Sequence, residues 1–133
     1  MTRAIISAMA LIVAVAPSLA ESPRCIRVTA HSSRSVRLYV EDAAGIKVAE
    51  ARVRVTPATG NRLITERRTD ANGYLALSLN PGEFRFEVEY PWCSSTIFVE
   101  VLSRAREKGI RGQAIVITLP SDGRDCCAGV RYR

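Results

Sequence analysis

From residue 35 onward, apolar side chains recur at every second position. Val36, Leu38 and Val40 alternate with Arg37, Tyr39 and Glu41, and Val53 and Val55 with Arg52 and Arg54. Leu75, Leu77 and Leu79 alternate with Tyr74, Ala76 and Ser78. Phe84, Phe86, Val88 and Tyr90 are interleaved with Glu83, Arg85, Glu87 and Glu89. Ile97, Val99 and Val101, then Ile115, Ile117 and Leu119, repeat the pattern. A strand sends successive side chains to opposite faces, so this period of two predicts strands with one dry and one wetter face. Residues 63–68 supply a further strand, and residues 26–30 a short edge strand. Turn formers punctuate the runs, among them Gly45, Gly60-Asn61, Asp70-Ala-Asn-Gly73, Pro81-Gly82, Pro91 and Gly109. The expected fold is all-β, a seven-stranded antiparallel β-sandwich. Residues 83–90 run to one end, turn at 91–95 and return as 96–102. The loop 103–112 then lies at the opposite end.

The N-terminus breaks this pattern. Arg3 precedes an apolar run over 4–16, interrupted only by Ser7, and Pro17-Ser18-Leu19-Ala20 follows with small residues at Ser18 and Ala20. That order is the charged, apolar and cleavage region of a secretory signal peptide. Its apolar stretch falls short of the roughly 20 residues that span a bilayer as a helix. The expectation is a signal peptide over 1–20, a single domain over 21–133, no permanent membrane anchor, and a periplasmic or secreted location.

Export changes the meaning of the cysteines. Cys25, Cys93, Cys126 and Cys127 all follow the cleavage site, and an even count in an oxidising compartment predicts two disulfides. Bonding Cys126 to Cys127 would close a strained ring, since neighbouring side chains on an extended chain point apart. One tail cysteine is therefore expected to reach Cys93 and the other Cys25, in either of two pairings. Each cross-link would stabilise by about 3–5 kcal/mol through loop-closure entropy. With no C-x-x-C pair and one histidine, zinc and thiol-redox sites are not supported.

Net charge is +6, from 19 Lys+Arg against 13 Asp+Glu, and Lys47 and Lys108 are the only lysines. Because many arginines alternate with glutamates, as over residues 83–89, a solvated surface of mixed sign is expected over most of the domain. The aromatic interleaving that single-stranded nucleic acid would require is missing, so no nucleic-acid partner is expected.

Three blocks carry a resemblance: Asp42-x-x-Gly45-x-x-Val48-x-x-Ala51-x-Val53-x-Val55, then Thr69-Asp70-Ala-Asn-Gly73-Tyr74, then Pro81-Gly82-x-Phe84-x-Phe86. In this order they resemble the carboxypeptidase regulatory-like, transthyretin-like (prealbumin-like) domains over residues 36 to about 119. The resemblance implies a transthyretin-like, immunoglobulin-like sandwich. These positions build turns: Gly73 and Gly82 are expected at positive φ, Asp70 to cap its own turn, and Ala51 to sit where the sheets approach. Chemistries hosted by the fold are not supported here. The transthyretin-like 5-hydroxyisourate hydrolases use several histidines and a Tyr-Arg-Gly-Ser ending, whereas this chain has only His31 and ends Val130-Arg-Tyr-Arg133. Intradiol dioxygenases hold iron through two tyrosines and two histidines. Pilin-like relatives form a Lys–Asn isopeptide, and residues 113–119 hold no Asn or Asp.

The expected function is accordingly that of an exported non-catalytic binding module contacting a protein or glycan of the cell envelope, with no catalytic residues, cofactor or metal. The alternatives are a structural subunit of an envelope or fibre assembly and, behind it, a small hydrolase or thiol enzyme. Candidate contact residues are Trp92, in a turn at one tip, and Arg104, Arg106, Lys108 and Arg111, in the loop at the other. Trp92 could stack on a sugar or cover the end of the core; the loop could meet an anion or stay solvated and mobile. His31 falls in a polar stretch with no second ligand or base nearby in sequence.

Overall fold

The structure, a computed structural model, describes residues 27–120 and 127–133. The expected signal peptide, Cys25 and Cys126 lie outside the described residues. Nine strands form two packed sheets, and no helix occurs among the described residues. The strands are β1 (Thr29–Ser32), β2 (Ser35–Glu41), β3 (Arg52–Pro57), β4 (Thr65–Arg68), β5 (Tyr74–Ser78), β6 (Gly82–Tyr90), β7 (Cys93–Val101), β8 (Ile115–Thr118) and β9 (Gly129–Tyr132). One sheet has the order β1-β7-β6-β3-β4, the other β5-β2-β8-β9.

The alternation does what it predicts. Val36, Leu38, Val40, Val53, Val55, Leu75, Leu77, Phe86, Val88, Ile97 and Val99 all turn into the space between the sheets. Ala51 is fully buried, as a small residue between packed layers must be. The all-β sandwich holds, and four details depart from the sequence reading. First, β9 is an added strand paired with β8. Its brevity hides the alternation of Val130 and Tyr132 about Arg131. Second, two pairings are parallel, β1 with β7 and β2 with β8. Third, β7 begins at Cys93, so the β6–β7 connection is only Pro91-Trp92 rather than residues 91–95. Cys93 and Ser95 continue the inward face of β7, and the polar side chains of Ser94, Ser95 and Thr96 masked that extension. Fourth, His31 belongs to strand β1 and not to a linker. Its Nε2 lies 3.1 Å from Glu100 Oε1, and its backbone N–H donates to the Tyr132 hydroxyl at 2.8 Å. Edge strand β9 of one sheet is thereby tied to edge strand β1 of the other.

The turns are built as the three blocks imply. Asp42 Oδ1 accepts the N–H groups of Ala44 and Ile46, both at 2.9 Å, and Asp70 Oδ1 those of Asn72 and Tyr74 at 2.8 and 3.0 Å. A carboxylate that accepts from its own turn fixes the reversal locally. Gly73 and Gly82 both have positive φ, 71° and 152°. Between these turns Thr69, only 1% exposed, bonds to two backbone groups of the 48–51 segment. Neither Cys93 nor Cys127 is a free thiol.

Candidate functional site

The topology puts the two groups of candidate residues at opposite ends. Strand β2 starts, strand β5 finishes, and the segment 103–112 crosses over at one end, where Ser35 pairs with Ser78. The β6–β7 hairpin tip, the exit of β8 and the loop after β2 occupy the other.

At the first end the 103–112 segment is more ordered than a solvated, mobile loop. It is a chain of turns in which the N–H groups of Arg106, Ile110 and Gln113 donate to the carbonyls of Ser103, Glu107 and Ile110 at 2.9–3.0 Å. Its Glu107 is buried and forms an ion pair with Arg111, Nε lying 3.3 Å from Oε1. This framework separates the four basic residues. Arg106 turns toward Glu100 on β7, at 3.4 Å. Lys108 is exposed and does not line the cleft formed by its neighbours. Arg104 and Arg111 line an open cleft of about 520 Å³ together with Arg34 and Arg37. Glu107 and the serines Ser33, Ser35 and Ser78 complete its polar lining. Arg37 is braced by a hydrogen bond to the Gly112 carbonyl.

Four guanidiniums and one carboxylate make the cleft net positive by three. Two of its arginines differ from Arg52, Arg54 and Arg131 of the sheet faces. On the outer face of the five-stranded sheet, Arg52 bonds Glu89 and lies 3.8 Å from Glu66, and Arg54 lies 3.5 Å from the same Glu66. The Glu89 carboxylate, through its hydrogen bond and its charge, holds Arg52 above the usual guanidinium range. Arg131 bonds Glu41 at 2.7 Å. Arg34 and Arg104, by contrast, have no acceptor for their guanidiniums among the described residues. Sequence reasoning missed Arg34 and Arg37. Arg37 reads as an ordinary wet-face residue of β2, and only the parallel β2–β8 pairing brings it beside Gly112.

At the opposite end Trp92 is 41% exposed. Its indole N–H donates to the Pro120 carbonyl at 3.2 Å, and its ring meets Tyr90 edge-on at 4.3 Å between centroids. The exposed part of the ring borders a shallow depression with Asp42, Ala43 and Ala44. Its polar atom is engaged and one edge is packed, so the ring caps this end and offers only a remnant face. No group of three or more His, Cys, Asp or Glu among the described residues is placed to hold a metal ion.

The sequence matches no protein-family model and no curated protein. Among solved structures, the fold is similar to the Bacillus anthracis TIE protein, with a TM-score of 0.47 and 11% identity. That likeness covers 88% of this chain and 19% of the other, so the chain spans a minor part of that protein's length.

Proposed function

We propose that this chain is an exported, non-catalytic binding module of the cell envelope, built on a carboxypeptidase regulatory-like sandwich, that engages a protein or glycan partner through its arginine-lined end. The observation that carries the reading is the contrast between paired and unpaired arginines. Arg52, Arg54 and Arg131 on the sheet faces sit beside glutamates; in the cleft, Arg34 and Arg104 have no carboxylate beside them among the described residues. Crowding four like charges around one hollow opposes folding through mutual repulsion, and an anionic partner relieves it. Arginine suits the task because its planar donor fork matches an oxyanion in two-point geometry.

Pull-down from an envelope extract tests this. The Arg34→Ala/Arg104→Ala variant should lose the partner, while Arg106→Ala, whose guanidinium faces Glu100 outside the cleft, should retain it. Equal recovery by both variants would count against the cleft.

Export also bears on the tail. Cys127 lies two residues before Gly129, which pairs with Thr118 at the exit of β8, the end that holds Cys93. We expect a tail disulfide to Cys93 and a second from the remaining tail cysteine to Cys25. Non-reducing peptide mapping of protein recovered from outside the cytoplasm should show both, with an N-terminus at Glu21. A Cys126–Cys127 peptide, or an intact Met1 end, would contradict it.

A further inference from the structure

We infer that the cleft recognises phosphoryl groups, in a ligand carrying at least two of them. This rests on the proposed function in taking the cleft as the working surface, and goes beyond the protein or glycan partner named there. Charge comes first. A hollow that is net positive by three is poorly matched by one carboxylate and better matched by phosphoryl groups, each of which carries about 1.5 to 2 negative charges as a monoester near neutral pH. Donor chemistry comes second. The lining offers guanidinium forks and serine hydroxyls, and its one acidic side chain, Glu107, is turned to Arg111 and so does not face an incoming anion unpaired. Hydroxyl and guanidinium donors are the complement of phosphoryl oxygens, which only accept.

Extent is the third argument. A second hollow of about 330 Å³ adjoins the first, sharing Arg34 and Ser78 and adding Arg62, which has no acceptor among the described residues. Arg34 thus stands between two basic hollows, and a single phosphate would fill only one of them. The positions are also held in place before any ligand arrives. Arg37 is tied to the Gly112 carbonyl, Arg111 to Glu107, and the Arg34 backbone carbonyl accepts from Leu79 N–H at 3.0 Å. Donors fixed in advance lose less entropy on binding. The phosphoryl groups could be those of a soluble phosphate compound or of a lipid headgroup, and the two sources are separable by experiment.

Titration calorimetry of the purified protein with pyrophosphate, at low ionic strength, is the direct test. Saturable binding is expected, and it should weaken about tenfold or more in Arg34→Ala and in Arg104→Ala, the scale of a lost hydrogen bond between charged groups. Arg106→Ala should bind as the unaltered protein does, and polygalacturonate, a carboxylate polymer, should compete poorly. Co-sedimentation with phosphatidylcholine vesicles, with and without phosphatidic acid, distinguishes the sources. Sedimentation that depends on phosphatidic acid and on Arg34 assigns a headgroup, whereas pyrophosphate binding without it assigns a soluble ligand. No binding to pyrophosphate or vesicles, or equal losses in Arg104→Ala and Arg106→Ala, overturns the inference. Should the envelope partner still be captured through the cleft while pyrophosphate fails, only the ligand class falls. Cleft binding of pyrophosphate with no partner captured would instead sink the module reading.

Discussion

Replacing Thr69 with valine is expected to destabilise the protein by about 2–6 kcal/mol, because two buried backbone groups each lose their partner at about 1–3 kcal/mol. The Thr69 hydroxyl donates to the Val48 carbonyl at 2.7 Å and accepts from the Ala51 N–H at 2.9 Å. Valine has nearly the same shape, so the loss measures hydrogen bonding and not a cavity. Thr56 supplies the control. It is also buried, but its hydroxyl has no hydrogen-bond partner. Thr56→Val removes a desolvated polar atom and should leave stability unchanged or raise it by about 1 kcal/mol. Urea unfolding of the two variants should therefore move the midpoint in opposite directions or, for Thr56→Val, hardly at all. Equal destabilisation would show that neither hydroxyl works as its contacts imply.

Gly73→Ala should cost a comparable amount, about 2–5 kcal/mol. At φ = 71° an L side chain is strained, by roughly 1–2 kcal/mol. A Cβ there would also stand 2.6 Å from the Val40 carbonyl oxygen and 3.1 Å from the Val48 nitrogen. Both are backbone atoms of the packed 40–48 region, and relieving such overpacking adds roughly 1–3 kcal/mol. Gly45 has a similar φ of 83° with open space around it, so Gly45→Ala should cost only the conformational part. Thermal unfolding of both variants checks this, and equal shifts would mean that the close approach to Val40 carries no weight.

Much of the frame was legible because it rests on a period of two that survives in any single strand. Leu77, Phe86 and Val99 needed no knowledge of their neighbours to be placed inside. The unread parts depended on pairing. Strand β9 has four residues and gains its identity from β8; the ladder runs one step past both strands, where Ala114 and Arg133 exchange backbone hydrogen bonds at 3.0 and 2.9 Å. The start of β7 was hidden by polar residues, of which Ser95 faces the core and is buried against Cys93.

The cleft was half legible for the same reason. Arg104 and Arg111 stood out as charges in a loop, yet nothing local separates them from Arg106, which Glu100 draws away. Arg34 and Arg37 join them only because β2 and β8 begin side by side beneath the 103–112 turns. A site assembled from the ends of several strands leaves a faint signal in each.

The central claim, that the working surface is the arginine-lined end, is tested most directly by amide chemical-shift mapping of the isotopically labelled protein during a pyrophosphate titration. Shifts should gather at residues 33–37, Ser78 and 104–112, and leave Trp92 and the 42–46 loop in place. Saturable shifts centred on Trp92, with Arg34 and Arg104 unmoved, would contradict the account.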